Sequence, residues 1–291
     1  MLKTFVFCLC FNLLFLSLSS SAQVNENSTP PIFSIQGSNT IGAKLGPALV
    51  KGYLESMGGM QTRVVNLGNN ESRISTVLMN SKAAVNGPRA VVVDIAAHGS
   101  GTGFGALKTF AADIAAASRP AKQKEIDSLA ELTDLTSQAS EHILAIDGLA
   151  IIIHPNNPIE ELSVEQVSAL FSGEINNWSQ LGGSPGRVNI YARDNNSGTW
   201  DSFKGMVLGK STLSYDALRF ESNDELSDTV SRDANGIGFV GLPSVRQAKL
   251  VAISAGTAKA LKPTRLTVAT EDYALSRRLY LYTDDQPSNI H

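Results

Sequence analysis

The chain has 291 residues, 43% of them hydrophobic and 18% charged, with 24 Lys and Arg against 27 Asp and Glu. That balance excludes a disordered, collagenous or multi-span membrane protein. A formal charge of −3 argues against general nucleic-acid affinity, which needs a basic footprint, and leaves any attraction for an anion to local groups.

The N-terminus reads as an export signal. Lys3 precedes an almost unbroken apolar run over residues 5–18, and Ser20-Ser21-Ala22 puts small residues at the −3 and −1 positions of a cleavage site. Such a run suits a signal-peptide core, whereas a membrane-spanning helix needs about 20 residues. Residues 1–22 are therefore expected to be cleaved after Ala22, with an uncleaved anchor as the alternative. Cys8 and Cys10 both fall inside this leader. The remaining 269 residues (291 less 22) lose Lys3, carry −4 and contain no cysteine. Without disulfides they must bury a substantial core.

After a polar stretch ending in Pro30-Pro31, strand-like and helical patterns alternate. Strands are expected over residues 32–36, 63–67, 90–96, 112–117, 143–154, 188–192, 237–241, 266–269 and 279–282. Helical stripes run through Phe104, Leu107 and Ala111, then Ile126, Leu129 and Leu132, and later Trp200, Phe203 and Val207. Ser163-Val164-Glu165-Gln166 has the form of a capping box. This alternation predicts an α/β fold with mostly parallel sheets and helices on both faces. Residues 141–155 (EHILAIDGLAIIIHP) are long for one buried strand and bend at Asp147-Gly148. They read as a crossover between two sheets, or alternatively as one long bulged strand.

Four strand-to-helix junctions carry Ser, Thr, Gly or Arg. They are Gly37-Ser38-Asn39-Thr40, Gly99-Ser100-Gly101-Thr102, Ser118-Arg119-Pro120, and the run from Arg193 through Ser197, Gly198 and Thr199. Glycine admits close backbone approach, first-turn N–H groups point outward and hydroxyls add donors, so each junction could hold an anion. Taken alone, each is more often an ordinary helix cap, and four together are harder to dismiss than any one. The fourth is the most specific, because a guanidinium joins the donors.

Enzyme readings find little support. The four histidines lack metal-ligand spacing, and neither GxSxG nor HExxH occurs. Gly101-Thr-Gly103-Phe-Gly105-Ala106 satisfies GxGxxA, with Arg119 placed for an NADP-type site, and is the one enzyme hypothesis with a physical basis. No cofactor or metal is expected. Trp200 and Phe203 read as core; Trp178 reads as a loop anchor or a partner contact.

The motifs GSNTIG, HGSGTGF, ADIAAASRP, LAIDGLAIIIHPNNP, LFSGEINNW, RDNNSGT, GIGFVGL and LSRRLYLYT, in this order, resemble the PstS-like phosphate-binding proteins of bacterial phosphate ABC transporters. The resemblance implies a two-lobe periplasmic binding protein that closes over dehydrated phosphate and delivers it to an inner-membrane permease. It implies a monomer with lobe 1 over residues 33–146 and 277–291 and lobe 2 over residues 147–276. Ligand contacts would come from Ser38, Thr40, the Ile41 N–H, Ser100, Thr102, Ser118, Arg119, Arg193, Ser197, Gly198 and Thr199. Two departures stand out. Arg119 lies where the family's phosphate binders carry an Asp that accepts the phosphate proton, which leaves Asp194 or Asp147 as possible acceptors. If Arg119 points into the cleft, the site should favour a dianion more broadly; if it turns outward, selectivity is unaffected. The chain also stops at His291, before the helices that usually complete the first lobe; either the sequence is truncated or that lobe is smaller than usual, and a missing helix would leave part of a sheet face uncovered. The competing functions are binding of a sulfate- or molybdate-like oxyanion, a cell-envelope adhesion or structural role on the same fold, and the NADP-dependent enzyme.

Overall fold

The computed structural model describes residues 29–79 and 88–284, so the expected signal peptide with its cleavage site, and residues 285–291, lie outside the described residues. The first elements are β1 (Phe33–Gly37), α1 (Gly46–Ser56), β2 (Gly59–Gly68), β3 (Glu71–Leu78), β4 (Arg89–Ala96), α2 (Ser100–Lys108), β5 (Ile114–Ala117) and α3 (Gln123–Leu129). Then come β6 (Glu141–Ile153), β7 (Glu161–Ser163), α4 (Val164–Ser172), β8 (Asn189–Arg193), α5 (Gly198–Phe203), β9 (Leu218–Phe220) and α6 (Asn223–Arg232). The chain continues through β10 (Gly236–Gly241), β11 (Lys249–Leu250), β12 (Ala252–Ser254), α7 (Arg265–Ala269) and β13 (Ser276–Thr283).

The main sheet runs β2-β3-β4-β1-β5-β13-β6-β10-β8-β9, with β11 also on β6. β6 is one strand of 13 residues whose partners change midway. Residues from Glu141 to Gly148 pair with β13, and Leu149 to Ile153 pair with β10. The two lobes are thus two stretches of sheet sharing this strand. Pairing is mixed rather than mostly parallel. β1–β4, β1–β5, β8–β10 and β8–β9 are parallel. β13 returns antiparallel between β5 and β6, and β2–β3 is a hairpin set antiparallel against β4.

Two elements differ from the sequence expectation. The polar β3 carries no clear alternation, but its hairpin turns at Gly68-Asn69-Asn70 with φ of 84°, 50° and 59°, a left-handed turn that glycine and asparagine favour. Residues 266–269 form α7 rather than a strand, because Thr264 caps it. The Thr264 Oγ1 accepts the Thr267 N–H at 3.2 Å, and the Thr264 N–H donates to the Thr267 Oγ1 at 2.9 Å, which outweighs the β-branched composition. The capping box at Ser163 and Gln166 forms as expected.

Each lobe buries apolar residues on both sheet faces. In the first, Ile35, Val93 and Leu54 pack on one side, with Phe104, Leu129 and Tyr282 on the other. In the second, Ile151, Phe171, Phe203 and Phe239 oppose Ile152, Leu226 and Val230. Phe203 and Phe239 stack with centroids 4.0 Å apart, and Trp200 lies 6.3 Å from both. Trp178 is 1% exposed and donates its Nε1–H to the Asn235 carbonyl at 3.0 Å, which makes it a core residue rather than a surface contact. Beside the end of β13, an apolar groove of about 690 Å³ is lined by Phe33, Tyr53, Met57, Leu107 and Phe110. Phe203→Ala is expected to cost about 3–5 kcal/mol of stability, measured by urea unfolding, because its ring is fully buried in the aromatic stack.

Candidate anion-binding site

The Ser and Thr turns of the two lobes meet at the start of α5. Ser197 caps that helix, its Oγ accepting the Thr199 and Trp200 N–H groups at 3.2 Å. Gly198 follows, and only glycine fits there. A Cβ would lie 2.1 Å from the Ser100 Oγ and 2.6 Å from the Ser118 Oγ, both on the opposite lobe. Those two oxygens are 3.4 Å apart, and the Ser118 N–H donates to the Ser100 Oγ at 3.0 Å. The Thr40 and Thr199 hydroxyls sit 3.2 Å apart across the seam. Thr40, Ser100, Ser118, Ser197, Gly198 and Thr199 are therefore brought together, and all but Thr40 are buried. Hydroxyls bonded to one another can turn their protons onto an incoming anion. Ser38 is buried beside them, its Oγ without a partner. Two expected contacts face their own turns: the Thr102 Oγ1 donates to the Gly99 carbonyl at 2.8 Å, and the Ile41 N–H to the Ser38 carbonyl at 3.2 Å.

Arg193 anchors the cluster from the end of β8 and is 1% exposed. Its Nε donates to the Phe220 carbonyl at 3.1 Å and its Nη2 to the Asn39 Oδ1 at 2.9 Å, with further bonds to the Asn223 side chain and the Glu221 carbonyl. Asn39 belongs to the first lobe, so this guanidinium ties the lobes together. Burial pushes its pKa down to about 10, which leaves it cationic at neutral pH. Asp194 accepts the Asn196 N–H at 2.7 Å on Oδ1. Its Oδ2 lies 4.0 Å from the Arg193 Nη2, buried and without a hydrogen-bond donor.

Arg119 takes neither of the orientations considered from sequence. It is 6% exposed and bonded to carboxylates. Glu125 takes its Nη1 and Nη2 at 2.7 and 2.8 Å, and Asp201 of the opposite lobe takes Nε at 2.7 Å. The Lys122 Nζ adds 2.5 Å to the same Asp201 oxygen. Arg119 thus joins the lobes instead of facing the hydroxyl cluster. Removing one member of a buried ion network leaves its partners uncompensated, so Arg119→Ala should cost about 3 kcal/mol or more in urea unfolding.

The residue that sequence reasoning missed is Arg277, on β13 directly opposite Asp147 on β6. Its Nη2 donates to the Thr199 Oγ1 at 3.0 Å and the Thr40 Oγ1 at 3.3 Å, while Asp147 Oδ2 receives Nε and Nη2 at 3.1 and 2.8 Å. The signal was available: Asp147 interrupts the apolar run of β6 and Arg277 is a buried position of β13, where a charge survives only if paired. Burial raises the Asp147 pKa, against the Arg277 charge that lowers it.

Exposed ion pairs line the rim of the seam. Lys44 meets Asp224 at 3.2 Å. His98 lies between Glu221 of the second lobe, 2.8 Å from Nδ1, and Glu71 of the first, 3.2 Å from Nε2. The Glu221 hydrogen bond, with help from Glu71, holds the His98 pKa above its usual value despite partial burial. A raised folded pKa stabilises fully below the ordinary histidine range, and the contribution fades as pH climbs through the raised value. The melting-temperature advantage of the native chain over His98→Gln should therefore be largest near about pH 5.5 and shrink as pH rises above about 6.5.

The GxGxxA stretch lies inside α2, where Gly103 packs against β1 and β5; a Cβ there would come 2.5 Å from the Gln36 carbonyl oxygen. That accounts for the glycine as helix–strand packing, and Arg119 is engaged with Glu125 and Asp201.

A family model described as a PBP superfamily domain matches residues 61–290. Among curated proteins, the phosphate-binding protein PstS of Borreliella burgdorferi is 27% identical over 197 residues, covering 65% of this chain and 67% of that protein. The PstS of Staphylococcus aureus is 29% identical over 201 residues, covering 66% of this chain and 60% of that protein. The chain thus spans about two thirds or less of the length of these relatives. A solved ABC-type phosphate transport receptor from Vibrio cholerae superposes with a TM-score of 0.60 at 25% identity, covering 88% of both chains. A phosphate-bound putative substrate-binding protein of a phosphate ABC transporter from Clostridium perfringens shares the fold, with a TM-score of 0.64, 22% identity and 88% coverage of each chain.

Proposed function

This chain belongs to the PBP superfamily, and from that premise we propose that it binds inorganic phosphate outside the cytoplasm and hands it to an ABC-transporter permease. The observation that carries the reading is the meeting of Thr40, Ser100 and Ser118 from one lobe with Ser197, Gly198 and Thr199 from the other, beside the buried Arg193. Neutral hydroxyls beside a buried guanidinium suit a dehydrated tetrahedral oxyanion, which they hold by charge-assisted hydrogen bonds. The PstS relatives support phosphate as that anion.

The remaining parts of the reading follow the same pattern. The expected leader of residues 1–22 would direct export to the periplasm, where the chain acts as a monomer without cofactor. The change of partner along β6 at Gly148 supports a lobe division near residue 147, with the return near residue 277. Lobe closure supplies selectivity by removing water from the anion. With Arg119 bound to carboxylates, the acceptor for the phosphate proton is Asp194, supported by its buried Oδ2 that lacks a donor.

Calorimetric titration of ligand-stripped protein with phosphate, sulfate, molybdate and NADPH tests the reading. Heat is expected with phosphate and none with NADPH. Absence of phosphate heat overturns the reading; preference for sulfate or molybdate makes the chain another oxyanion binder, and silence with all four favours an adhesion or structural role. Arg193→Ala should abolish phosphate heat, and undiminished affinity would show that the clamp lies elsewhere.

A further inference from the structure

We propose that Arg277 is a second guanidinium that contacts the anion, held in place by Asp147, and that the pair tunes the site for a tetrahedral dianion. This rests on the phosphate reading above and extends it to a residue that was not among the ligand contacts expected from the sequence.

The argument begins with strand register. Arg277 and Asp147 are direct cross-strand partners on β13 and β6, where the two lobes share a strand. Both are nearly buried, with side chains 5% and 4% exposed. Asp147 takes Nε and one Nη2 bond of Arg277 on its Oδ2, which fixes the plane of the guanidinium. Nη2 then reaches the hydroxyls of Thr40 and Thr199, one from each lobe. Nη1 is buried with no hydrogen-bond partner. A buried, charged donor left without an acceptor is costly, about 1–3 kcal/mol or more, and such a group in a native structure calls for a reason. An anion seated among the Thr40 and Thr199 hydroxyls would supply the missing acceptor.

The other arginines sharpen the assignment. Arg119 has its donors on Glu125, Asp201 and the Pro120 carbonyl. Arg193 has four protein acceptors for its five N–H groups. Arg277 keeps a whole Nη1 group, with two protons, unbonded on the guanidinium whose Nη2 meets the Thr40 and Thr199 hydroxyls. Arg193 and Arg277 also repel one another, and an anion with two negative charges relieves that repulsion more than a singly charged one. Asp147 is the counter-ion that lets Arg277 remain buried when the site is empty, as the geometry of their pairing requires.

The experiment is phosphate calorimetry across pH on the native chain, Arg277→Met, the double variant Arg277→Met with Asp147→Asn, and Arg277→Lys. The double variant removes both charges together, so no buried carboxylate is left unpaired. It is expected to fold with native circular dichroism and to bind phosphate about a hundredfold more weakly, the loss of roughly two charged hydrogen bonds. Its affinity should also rise less steeply than that of the native chain as phosphate passes from monoanion to dianion. Arg277→Lys, which keeps the charge but loses the planar fork, should recover part of the affinity. If the double variant fails to fold, Arg277→Lys decides, with a loss of about tenfold expected. Native affinity and an unchanged pH profile in the double variant, or in Arg277→Lys where only that variant folds, overturn the proposal. Loss of binding in Arg193→Ala alone, with the double variant intact, overturns it while leaving the phosphate reading standing. A native chain that gives no phosphate heat overturns both.

Discussion

A guanidinium taken out of water must be given acceptors from every side, and here those acceptors come from two lobes at once. Three arginines apply this constraint at the seam. Arg193 extends from β8 to Asn39, Arg119 from the end of β5 to Asp201, and Arg277 from β13 to the Thr40 and Thr199 hydroxyls. Arg119 and Arg277 each have a carboxylate close by in the fold, Glu125 and Asp147, and all three guanidinia send further donors across the seam. The glycine at position 198 and the serines at 100 and 118 lie within contact distance across the same seam. The cluster draws on residues of both lobes rather than on either alone.

The chain as a whole is negative, at −3, so the field of the protein does not draw an anion in. The attraction is short-ranged and comes from a few donors placed where water is excluded and the local dielectric is low. Acidic side chains are not absent from this neighbourhood. Asp147, Asp194, Asp201 and Glu125 balance the buried cations, and they do so from positions behind or beside the hydroxyls. Cations matched by anions, with neutral hydroxyls in front, make a site that can be buried while empty and still bond a charged ligand.

Much of this was legible in the sequence, for identifiable reasons. The junctions at Ser100, Ser118, Ser197 and Thr199 were visible because hydroxyls, glycines and strand ends are local signals, and the three-dimensional cluster uses most of them. β6 stood out by its length, and the capping box at Ser163 by its spacing. Arg119 was misplaced because its partners, Glu125 and Asp201, lie 6 and 82 positions away, and nothing local says that a guanidinium will find a carboxylate on another lobe. Arg277 was passed over for the same reason: its meaning depends on facing Asp147 across two strands 130 positions apart. The strand expected at residues 266–269 was lost to a cap formed by two threonines, since β-branched residues serve both strands and helix starts. Local chemistry reads well from sequence; pairing across the fold does not.

The strand shared by both lobes has a consequence for how the protein comes apart. β6 contributes the edge-to-edge bonds of β13 in its first half and of β10 in its second. If either lobe unravels, it withdraws half of a strand whose other half is central to its neighbour, and the exposed end frays into the remaining sheet. The hydrophobic clusters of the two lobes are separate but are strung on one continuous backbone, so melting one lobe loosens the support of the other. The lobes are thermodynamically coupled, and stability belongs to the whole chain rather than to two independent parts.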